Sequence, residues 1–463
     1  MRIVQSSAGE VNKTFLLAVT MASHFFNPFM GSAVNVALKR IGTEFSMSAV
    51  GLSWVTMAYL LSVAIFLVPF GRLGDTWGRT RLFFYGNLFF TLTTLLCGLA
   101  GSSTMLITMR FLQGIAAAMM TSTTMALVIS AFPPESRGKV IGLNISAVYV
   151  GSSLAPMLGG ILTDSLGWRS IFMINAATGA IITALIVWKL RKEWFQPVRA
   201  KFDYAGSLVY MIAISMLMYG FSRLPEPHAI ALTVAGLLGM IGFVRMEGRM
   251  ASPVLNIRLF TENRVFALSN LSALINYAAT FALSFMLSLY LQYVRGMEAR
   301  EAGLVLMAQP IMMAVVASFS GRLSDRRNPR ILAAAGMGLS AIGLFLLSFL
   351  SDDTSVIYIL TGMVILGTGF GLFSSPNMNV VMSAVDKSVY GTASSILATM
   401  RNTGMMFSMA IASMTIHILL GDAEIAAHNL NAFNSSTRIV FSVFTILCLL
   451  GIYTSGAKSR KSA

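Results

Sequence analysis

Charge is scarce in this chain. Only 11% of its 463 residues are Asp, Glu, Lys or Arg, whereas 56% are hydrophobic, and the mean hydropathy is +0.74. A water-soluble chain of this length needs far more charged residues to cover its surface. The composition therefore excludes a soluble globular protein and predicts an integral membrane protein.

Cysteine is almost absent as well. The two cysteines, Cys97 and Cys448, lie inside apolar segments, so neither indicates a disulfide or a metal site. The sequence has no His/Cys/carboxylate cluster at ligand spacing, no Walker loop, and no G-x-G-x-x-G after a strand. Since no nucleophile–base pair stands out either, we expect no cofactor, no ATP-driven pumping and no enzyme activity.

Long apolar segments dominate what is present. Many are long enough to cross a hydrocarbon core of ~30 Å as helices, the conformation that satisfies every backbone group inside lipid. Segments between charged or turn-rich breaks predict about fourteen transmembrane helices: 14–38, 50–70, 82–101, 106–132, 140–162, 170–188, 204–221, 229–246, 266–292, 302–320, 331–350, 356–384, 391–419 and 436–455. The fold class is therefore all-α and membrane-embedded.

The basic residues predict the orientation. With the N-terminus in the cytoplasm, 24 of the 33 Lys and Arg residues lie in cytoplasmic loops and 7 lie outside, while Arg110 and Arg401 lie within spans. This bias follows the positive-inside rule with both termini cytoplasmic. The net charge of +15 thus reflects topology and anionic lipid headgroups, with no nucleic-acid partner.

One basic loop occurs twice. GRLGDTWGRTR, from Gly71 to Arg81, returns in degraded form as GRLSDRRNPR, from Gly321 to Arg330. Each copy has a central acid, Asp75 or Asp325, between long apolar segments. The duplication predicts two related membrane bundles in one chain.

Six further motifs in the expected order resemble the major facilitator superfamily, in particular its fourteen-span drug:proton antiporter branch. They are LITMRFLQG with Arg110, Gln113 and Gly114; GSSLAPMLGG with Gly151, Pro156, Gly159 and Gly160; WVTMAYLL from Trp54; WRSIFMIN from Trp168; FDYAG from Phe202; and SSPNMN from Ser374. Together with the duplicated loop, they extend the resemblance over almost the whole chain.

This resemblance implies two six-helix bundles with an inserted helix pair. The expected boundaries are 1–192 for the first bundle, 193–264 for the linker and inserted pair, and 265–463 for the second bundle and tail. Substrate would be held near the midplane and exposed to each side alternately by rocking of the bundles. Family precedent also implies a monomer in the cell (inner) membrane.

The chain departs from the branch in its first helix. The usual late Asp of that helix aligns with Met30, and all 18 Asp and Glu residues can be placed in loops or at helix ends. An embedded carboxylate is what a cation exporter would use to bind cargo and exchange protons. Uncharged or anionic cargo is therefore favoured over strongly cationic cargo.

Two arginines lie within predicted spans. Arg401, about ten residues into its helix on a face of small residues, would attract anionic or polar substrate groups if it faces the cavity. Alternatively, backbone carbonyls and helix dipoles hold it as a structural strut. Arg110, with Gln113, resembles the helix-four motif linked to proton coupling, and packing is its alternative.

In the first helix, His24 is a candidate proton carrier because its ordinary pKa of ~6.5 suits proton exchange. Helix phase at ~100° per residue instead places Ser23 and Asn27 closer to the cavity-facing side marked by Met30. A helix-packing histidine is therefore the competing interpretation of His24.

The duplicated loop resembles a gate. Asp75, with Arg79 and Arg81, is expected to pair across the bundles when the cytoplasmic side closes, and Gly71 and Gly78 permit close backbone approach. The alternative is a solvated turn whose acid caps a helix. Asp325 is expected to form a weaker latch, because Asn-Pro replaces the Gly-Arg step there.

Other polar and small residues complete the candidate site. The helix-five residues Gly151, Pro156, Gly159 and Gly160 allow close packing and bending. Asn276, Tyr277, Asn377 and Asn379 are candidate cavity contacts, with interhelical hydrogen bonds as the alternative.

These observations predict a secondary active transporter that exports amphiphilic small molecules by alternating access, coupled to protons. An organic-anion or lipid-type transporter of the same fold is the alternative, favoured by two embedded arginines without an embedded acid. A membrane sensor is a third possibility, but the sequence shows no soluble signalling domain.

Overall fold

Helices account for all the regular secondary structure that the computed structural model describes, which covers residues 13–189, 203–250, 254–255, 257–386 and 389–456. Parts of the predicted linker (193–202) and of the tail (457–463) lie outside these residues. The helices are α1 Lys13–Phe45, α2 Ala49–Trp77, α3 Arg79–Gly98, α4 Ser103–Ala131, α5 Pro134–Leu166, α6 Arg169–Lys189, α7 Tyr204–Ser222, α8 Pro227–Glu247, α9 Arg258–Glu262, α10 Arg264–Thr280, α11 Leu283–Leu289, α12 Ala299–Leu306, α13 Ala308–Ser324, α14 Pro329–Leu347, α15 Val356–Ser383, α16 Tyr390–Leu420 and α17 Leu430–Gly456.

Among the residues that the structure describes, twelve helical segments are long and apolar enough to cross a membrane, against the fourteen predicted. Helix α10, helix α11 and the π-helical turn Tyr290–Val294 form one such segment, and α12 with α13 forms another. The other two predicted spans fall on α1 and α3, which are 33 and 20 residues long. Polar residues such as His24 and Asn27 in α1 and Asn87 in α3 lower the hydropathy of these helices. The protein is thus a multi-pass membrane protein.

Local sequence explains several helix ends. The side chains of Ser48, Ser102 and Ser355 accept hydrogen bonds from backbone N–H groups at the starts of α2, α4 and α15. Gly78 separates α2 from α3 with φ 122°, a backbone conformation that favours glycine. The break within the Gly71–Arg81 motif therefore needs the glycine that stands there.

Helix packing forms two groups. In the first, α1 packs on α5, α2 on α4, and α3 on both α4 and α6. In the second, α15 packs on α13 and α14, α10 on α16, and α17 on α10 and α14. Helices α5 and α2 of the first group make the most extensive contacts with α12 and α16 of the second, and α1 also contacts α11, so these helices lie at the boundary between the groups.

Helices α7 and α8 pack against each other, and α7 also contacts α2 and α16. The Tyr210 hydroxyl donates to the Ala64 carbonyl of α2 at 2.9 Å. Near the other end of α7, the Phe221 ring meets the Phe407 ring of α16 with centroids 5.9 Å apart. The pair is thus attached to both groups of helices.

Candidate functional site

A cavity of about 520 Å³ lies between the two groups of helices at the Asp75 end of the molecule. Its walls come from α2, the start of α3 and α4 on one side, from α16 on the other, and from the chain at Val254 and Leu255. The charged residues of the lining are Arg72, Asp75 and Arg79. A 650 Å³ groove between α14 and α17 also exists, but it lies on the outer surface, away from the predicted site residues.

The two groups are joined by hydrogen bonds on the far side of the molecule from Asp75. Lys39 Nζ donates to the Gln292 carbonyl at 2.6 Å, and Gln292 Nε2 donates to the Val36 carbonyl at 3.0 Å. Ser53 Oγ donates to Ser413 Oγ at 2.9 Å. The structure is therefore closed at that end, and its cavity lies at the Asp75 end.

The helix-five motif contributes to this closure. A Cβ built at Gly160 would stand 2.4 Å from the Ala299 carbonyl oxygen, and one built at Gly303 would stand 2.1 Å from the Pro156 carbonyl oxygen. Helices α5 and α12 thus approach at backbone distance across the boundary. Gly151 and Gly159 play the same role against α1, where a Cβ would stand 2.3 Å from Phe25 O and 2.9 Å from Ala33 Cα.

Asp75 pairs within its own motif in this conformation. Its Oδ1 accepts from Arg79 Nη2 at 2.7 Å and from Arg79 Nε at 3.0 Å, four residues further along the chain and across the break at Gly78. Gly71 lies on the cavity wall with open space where a Cβ would be, and Arg81 is exposed. In the second copy, Asp325 is exposed and makes no ion pair with the residues that the structure describes.

Arg401 lies one helical turn beyond the cavity-lining residue Ala398 on α16. Its guanidinium carbon stands 5.7 Å from the centre of the Tyr277 ring, and its buried Nε has no hydrogen-bond partner. The Tyr277 ring meets Phe370 edge-on at 5.2 Å. A guanidinium with an unused donor beside an aromatic ring suits a planar or negatively charged ligand group.

Arg110 occupies a different environment, inside the first group of helices. It is fully buried, its Nε donates to the Val55 carbonyl at 3.0 Å, and its Nη1 donates to Gln113 Oε1. The Tyr59 ring lies 4.5 Å from its guanidinium carbon, and Gln113 Nε2 donates in turn to Thr94 Oγ1 at 2.6 Å. These contacts hold α2, α3 and α4 together without a carboxylate.

One predicted cavity residue connects this network to the cavity. Asn27 Oδ1 accepts from the Tyr59 hydroxyl at 2.5 Å, and its Nδ2 donates at 3.4 Å to Thr121, which lines the cavity. Hydrogen bonds and the Tyr59–Arg110 ring contact thus run from the cavity wall to the buried guanidinium.

The other α1 candidates lie away from the cavity. Ser23 is buried and donates to Asn87 Oδ1 of α3 at 3.1 Å, and Met30 is fully buried in the apolar core. His24 Nδ1 lies 3.1 Å from Asn144 Oδ1 of α5. In this conformation these side chains therefore contact neighbouring helices of their own group.

The polar candidates of the second group are mostly engaged between helices. Asn276 Nδ2 donates to Met337 Sδ at 3.0 Å, and Asn379 Nδ2 donates to Ser324 Oγ at 2.5 Å. Asn377 is buried, and its Nδ2 has no hydrogen-bond partner. Of this set, Tyr277 is the residue that lies beside Arg401.

Sequence reasoning missed several residues that bond across the boundary. Lys39 and Ser413 gave no motif, since their role depends on which helices meet. Tyr149, whose hydroxyl lies 2.9 Å from Ser374 Oγ across the boundary, could have been found, because it stands two residues before Gly151 of the helix-five motif.

The fold matches solved membrane transporters. A bacterial homolog of the human lysosomal transporter Spinster, solved in an inward-facing and unoccupied conformation, superposes with a TM-score of 0.70 over 97% of both chains at 18% identity.

Sequence relatives cover nearly the whole chain. The riboflavin transporter RibZ of Clostridioides difficile (strain 630) is 27% identical over 97% of this chain and 98% of its own length. The multidrug resistance protein Stp of Mycobacterium tuberculosis (strain CDC 1551 / Oshkosh) is 31% identical over 87% of this chain and 76% of its own. The drug efflux pump JefA of the same strain is 30% identical over 84% of this chain and 78% of its own length.

The family model of the Major Facilitator Superfamily matches residues 20–409. With the helical fold, the duplicated loop and the boundary cavity, this match establishes the class of protein. The chain belongs to the Major Facilitator Superfamily and is a membrane transporter of small molecules, with no enzymatic role.

Proposed function

We propose that this protein is a proton-coupled exporter of the fourteen-span drug:proton antiporter branch, and that its cargo is amphiphilic and uncharged or anionic. It would act as a monomer in the cell (inner) membrane with both termini in the cytoplasm. The observation that carries the proposal is the arrangement of Arg401, whose unpaired Nε lies beside Tyr277, one turn beyond the cavity wall.

The cavity supports export by its position. It lies at the Asp75 end, which the distribution of Lys and Arg assigns to the cytoplasm. An exporter must collect its cargo from that side. The hydrogen bonds of Lys39, Gln292 and Ser413 close the opposite end, as alternating access requires.

The charge distribution supports the choice of cargo. Asp75 is the acid of the cavity lining, and Arg79 neutralises it at 2.7 Å. The described Asp and Glu residues lie in loops or near helix ends, whereas Arg401 lies well inside α16. A cationic cargo would therefore meet a guanidinium without a nearby free carboxylate, which is unfavourable in a low-dielectric interior.

The relatives' names favour transport of aromatic or drug-like compounds. Stp and JefA are named for drug resistance and drug efflux, and RibZ is named as a riboflavin transporter. An organic-anion or lipid-type transporter of the same fold is the second candidate, and the unpaired Arg401 Nε is the observation that favours it.

Transport assays in proteoliposomes test the proposal. Efflux and uptake of fluorescent anionic, neutral and cationic amphiphiles would be measured with and without an imposed pH gradient. We expect the gradient to accelerate movement of anionic and neutral probes in the direction opposite to proton flow. Flux that never responds to the gradient would rule out proton coupling, and faster flux along the proton flow would show symport.

A further inference from the structure

Two buried carboxyl groups meet at the base of the inserted helix pair. Asp203 lies just before α7, and Glu247 is the last residue of α8; their side chains are 8% and 2% exposed. They and Arg110 are the charged residues that the structure buries among those it describes. Neither acid lines the cavity, so the transport site does not explain them.

Each carboxyl group uses one oxygen and leaves the other free. Asp203 Oδ1 accepts from the Gly206 backbone N–H at 2.8 Å, and Glu247 Oε2 accepts from the Leu255 backbone N–H at 3.0 Å. Asp203 Oδ2 and Glu247 Oε1 are buried without a hydrogen-bond partner of their own. A buried acceptor left in this state is costly.

The two free oxygens face the same point in space. A Cβ built at Gly206 would stand 2.3 Å from Asp203 Oδ2 and 2.4 Å from Glu247 Oε1. The absence of a side chain at Gly206 therefore leaves room for the two oxygens to approach each other. Two ionised carboxylates cannot share such a buried position, because their repulsion is weakly screened there.

Basic neighbours do not resolve this repulsion. Arg245 and Arg249 flank Glu247 in sequence and Arg258 follows Leu255, but all three are exposed and make no ion pair with either acid in the described part of the chain. Among the described residues, Asp203 is thus the charged group that faces Glu247 from another element. A divalent metal is also a poor fit, since Mg²⁺ and Ca²⁺ take six or more oxygen ligands and the described residues offer no cluster of three metal-binding side chains here.

We propose that Asp203 and Glu247 form a proton-binding site in which one proton is shared between Glu247 Oε1 and Asp203 Oδ2. The proton resides on Glu247, because the N-terminus of α7 stabilises Asp203 as the anion. Glu247 Oε1–H then donates to Asp203 Oδ2, and Glu247 Oε2 still accepts from Leu255 N–H. Every polar atom of the pair has a partner in this state.

The site controls a wall of the cavity. Val254 and Leu255 line the cavity, and Glu247 holds the backbone of Leu255. Loss of the proton leaves two carboxylates facing each other, so Glu247 is pushed away from Asp203 and its hold on Leu255 weakens. The segment 254–255 is therefore fixed when the proton is bound and loosened when it leaves.

Infrared spectroscopy of the purified protein tests for the proton directly. At neutral pH the wild type should show the C=O band of a protonated carboxyl group that shifts in D2O. Glu247→Gln should abolish this band, whereas Glu262→Gln, which changes an exposed acid on α9, should leave it intact. A wild type without the band, or a band that survives in Glu247→Gln, would overturn the proposal.

A spin label at position 254 tests whether the proton controls the mobility of the segment 254–255. Cys97 and Cys448 are buried and would be replaced by alanine, and Val254→Cys would carry the label. Across a titration from about pH 5 to about pH 10, which spans documented values for buried Glu, the label should be immobile at low pH and mobile at high pH. It should stay immobile throughout in Glu247→Gln, whose amide donates permanently, and mobile throughout in Glu247→Ala.

The same pH response in Glu247→Gln as in the parent would refute the switch. Both experiments proceed without substrate or a membrane gradient, so their outcome is independent of whether transport is proton-coupled.

Discussion

Arg401 and Tyr277 form a cation–ring pair at the boundary between the two bundles, with 5.7 Å between the guanidinium carbon and the ring centre. The pair leaves Arg401 Nε without an acceptor, although this atom is buried. Arg110, by comparison, uses its Nε on the Val55 carbonyl and its Nη1 on Gln113, although its Nη2 is also buried without a partner, and it lies inside the first group of helices and away from the cavity lining. The unused donor together with the position one turn from the cavity wall is the reason for assigning Arg401 to cargo binding.

Arg401→Ala should therefore weaken transport of anionic cargo more than of neutral cargo. A hydrogen bond to a charged group contributes ~1.5–3 kcal/mol, which corresponds to roughly a tenfold or greater rise in the apparent KM for anions. Arg401→Lys should rescue this only in part, because an ammonium lacks the planar donor geometry. Competition assays with matched anionic and neutral probes measure the difference, and equal loss for both would identify a strut.

Asp75→Asn should slow transport while leaving stability nearly unchanged. The Asp75–Arg79 ion pair is partly exposed and spans the break at Gly78, and surface ion pairs contribute only ~0.2–1 kcal/mol. When the Asp75 end closes, however, Arg72 and Arg79 of the cavity wall would be buried and need the negative charge. We expect turnover to fall about tenfold, equivalent to ~1.4 kcal/mol, with little change in Tm.

Asp325→Asn is the matched control for that experiment. Asp325 occupies the same position in the second copy of the loop, but it is exposed and has no ion pair among the described residues. The turnover of Asp325→Asn should stay close to that of the wild type. Equal losses in the two variants would contradict a specific gating role for Asp75.

The sequence predicted the helices and the motif positions well, because hydropathy, N-caps and glycines act locally. It predicted the contacts between side chains less well. Helix phase favoured Ser23 over His24 for the cavity, yet Ser23 bonds to Asn87 of α3. The phase calculation assumes a straight helix and takes no account of the neighbouring helices. Helix α1 contains Pro28, a residue that can kink a helix.

The burial of two acids could not be predicted from the sequence either. Asp203 and Glu247 were correctly expected at helix ends, and charged residues at helix ends are usually solvated. Their burial depends on two helix ends meeting at Gly206, a contact between distant segments that periodicity cannot reveal. The FDYAG motif indicated that Asp203 and Gly206 are typical of the family, but it gave no sign that Glu247 faces them.

Gly303→Ala should disfavour the conformation seen here. The new Cβ would stand 2.1 Å from the Pro156 carbonyl oxygen, and a backbone atom in a helix cannot move aside cheaply. Helices α5 and α12 should then separate, which opens the end remote from Asp75. Spin labels at the exposed positions Ser165 and Glu298 should report longer distances. Gly242→Ala, which meets no atom within 4 Å, should leave the distances unchanged.

The ion pair of Glu44 with Arg169 predicts a pH-dependent stability contribution. Arg169 donates from Nη1 to Glu44 Oε2 at 2.8 Å and stands with Nη2 2.7 Å from Oε1, while Trp168 Nε1 donates to Oε2 at 2.7 Å. The hydrogen bond from Arg169 is the main cause that lowers the pKa of the Glu44 carboxyl below its ordinary value of 4.5; partial burial acts in the opposite direction, and Trp168 lowers it further.

A lowered folded-state pKa means that the unfolded chain binds the proton more readily. The stabilisation is therefore complete above the ordinary value of 4.5 and is lost as the pH falls below it, through the lowered pKa of the folded protein. Because both side chains are more than one third exposed, solvent screening limits the contribution to less than about 1 kcal/mol. Glu44→Gln should thus lower Tm slightly at pH ~7, above the ordinary range of Glu, and the difference from the wild type should shrink on acidification. Thermal unfolding in detergent at a series of pH values measures this, and a difference that grows as the pH falls would contradict the assignment.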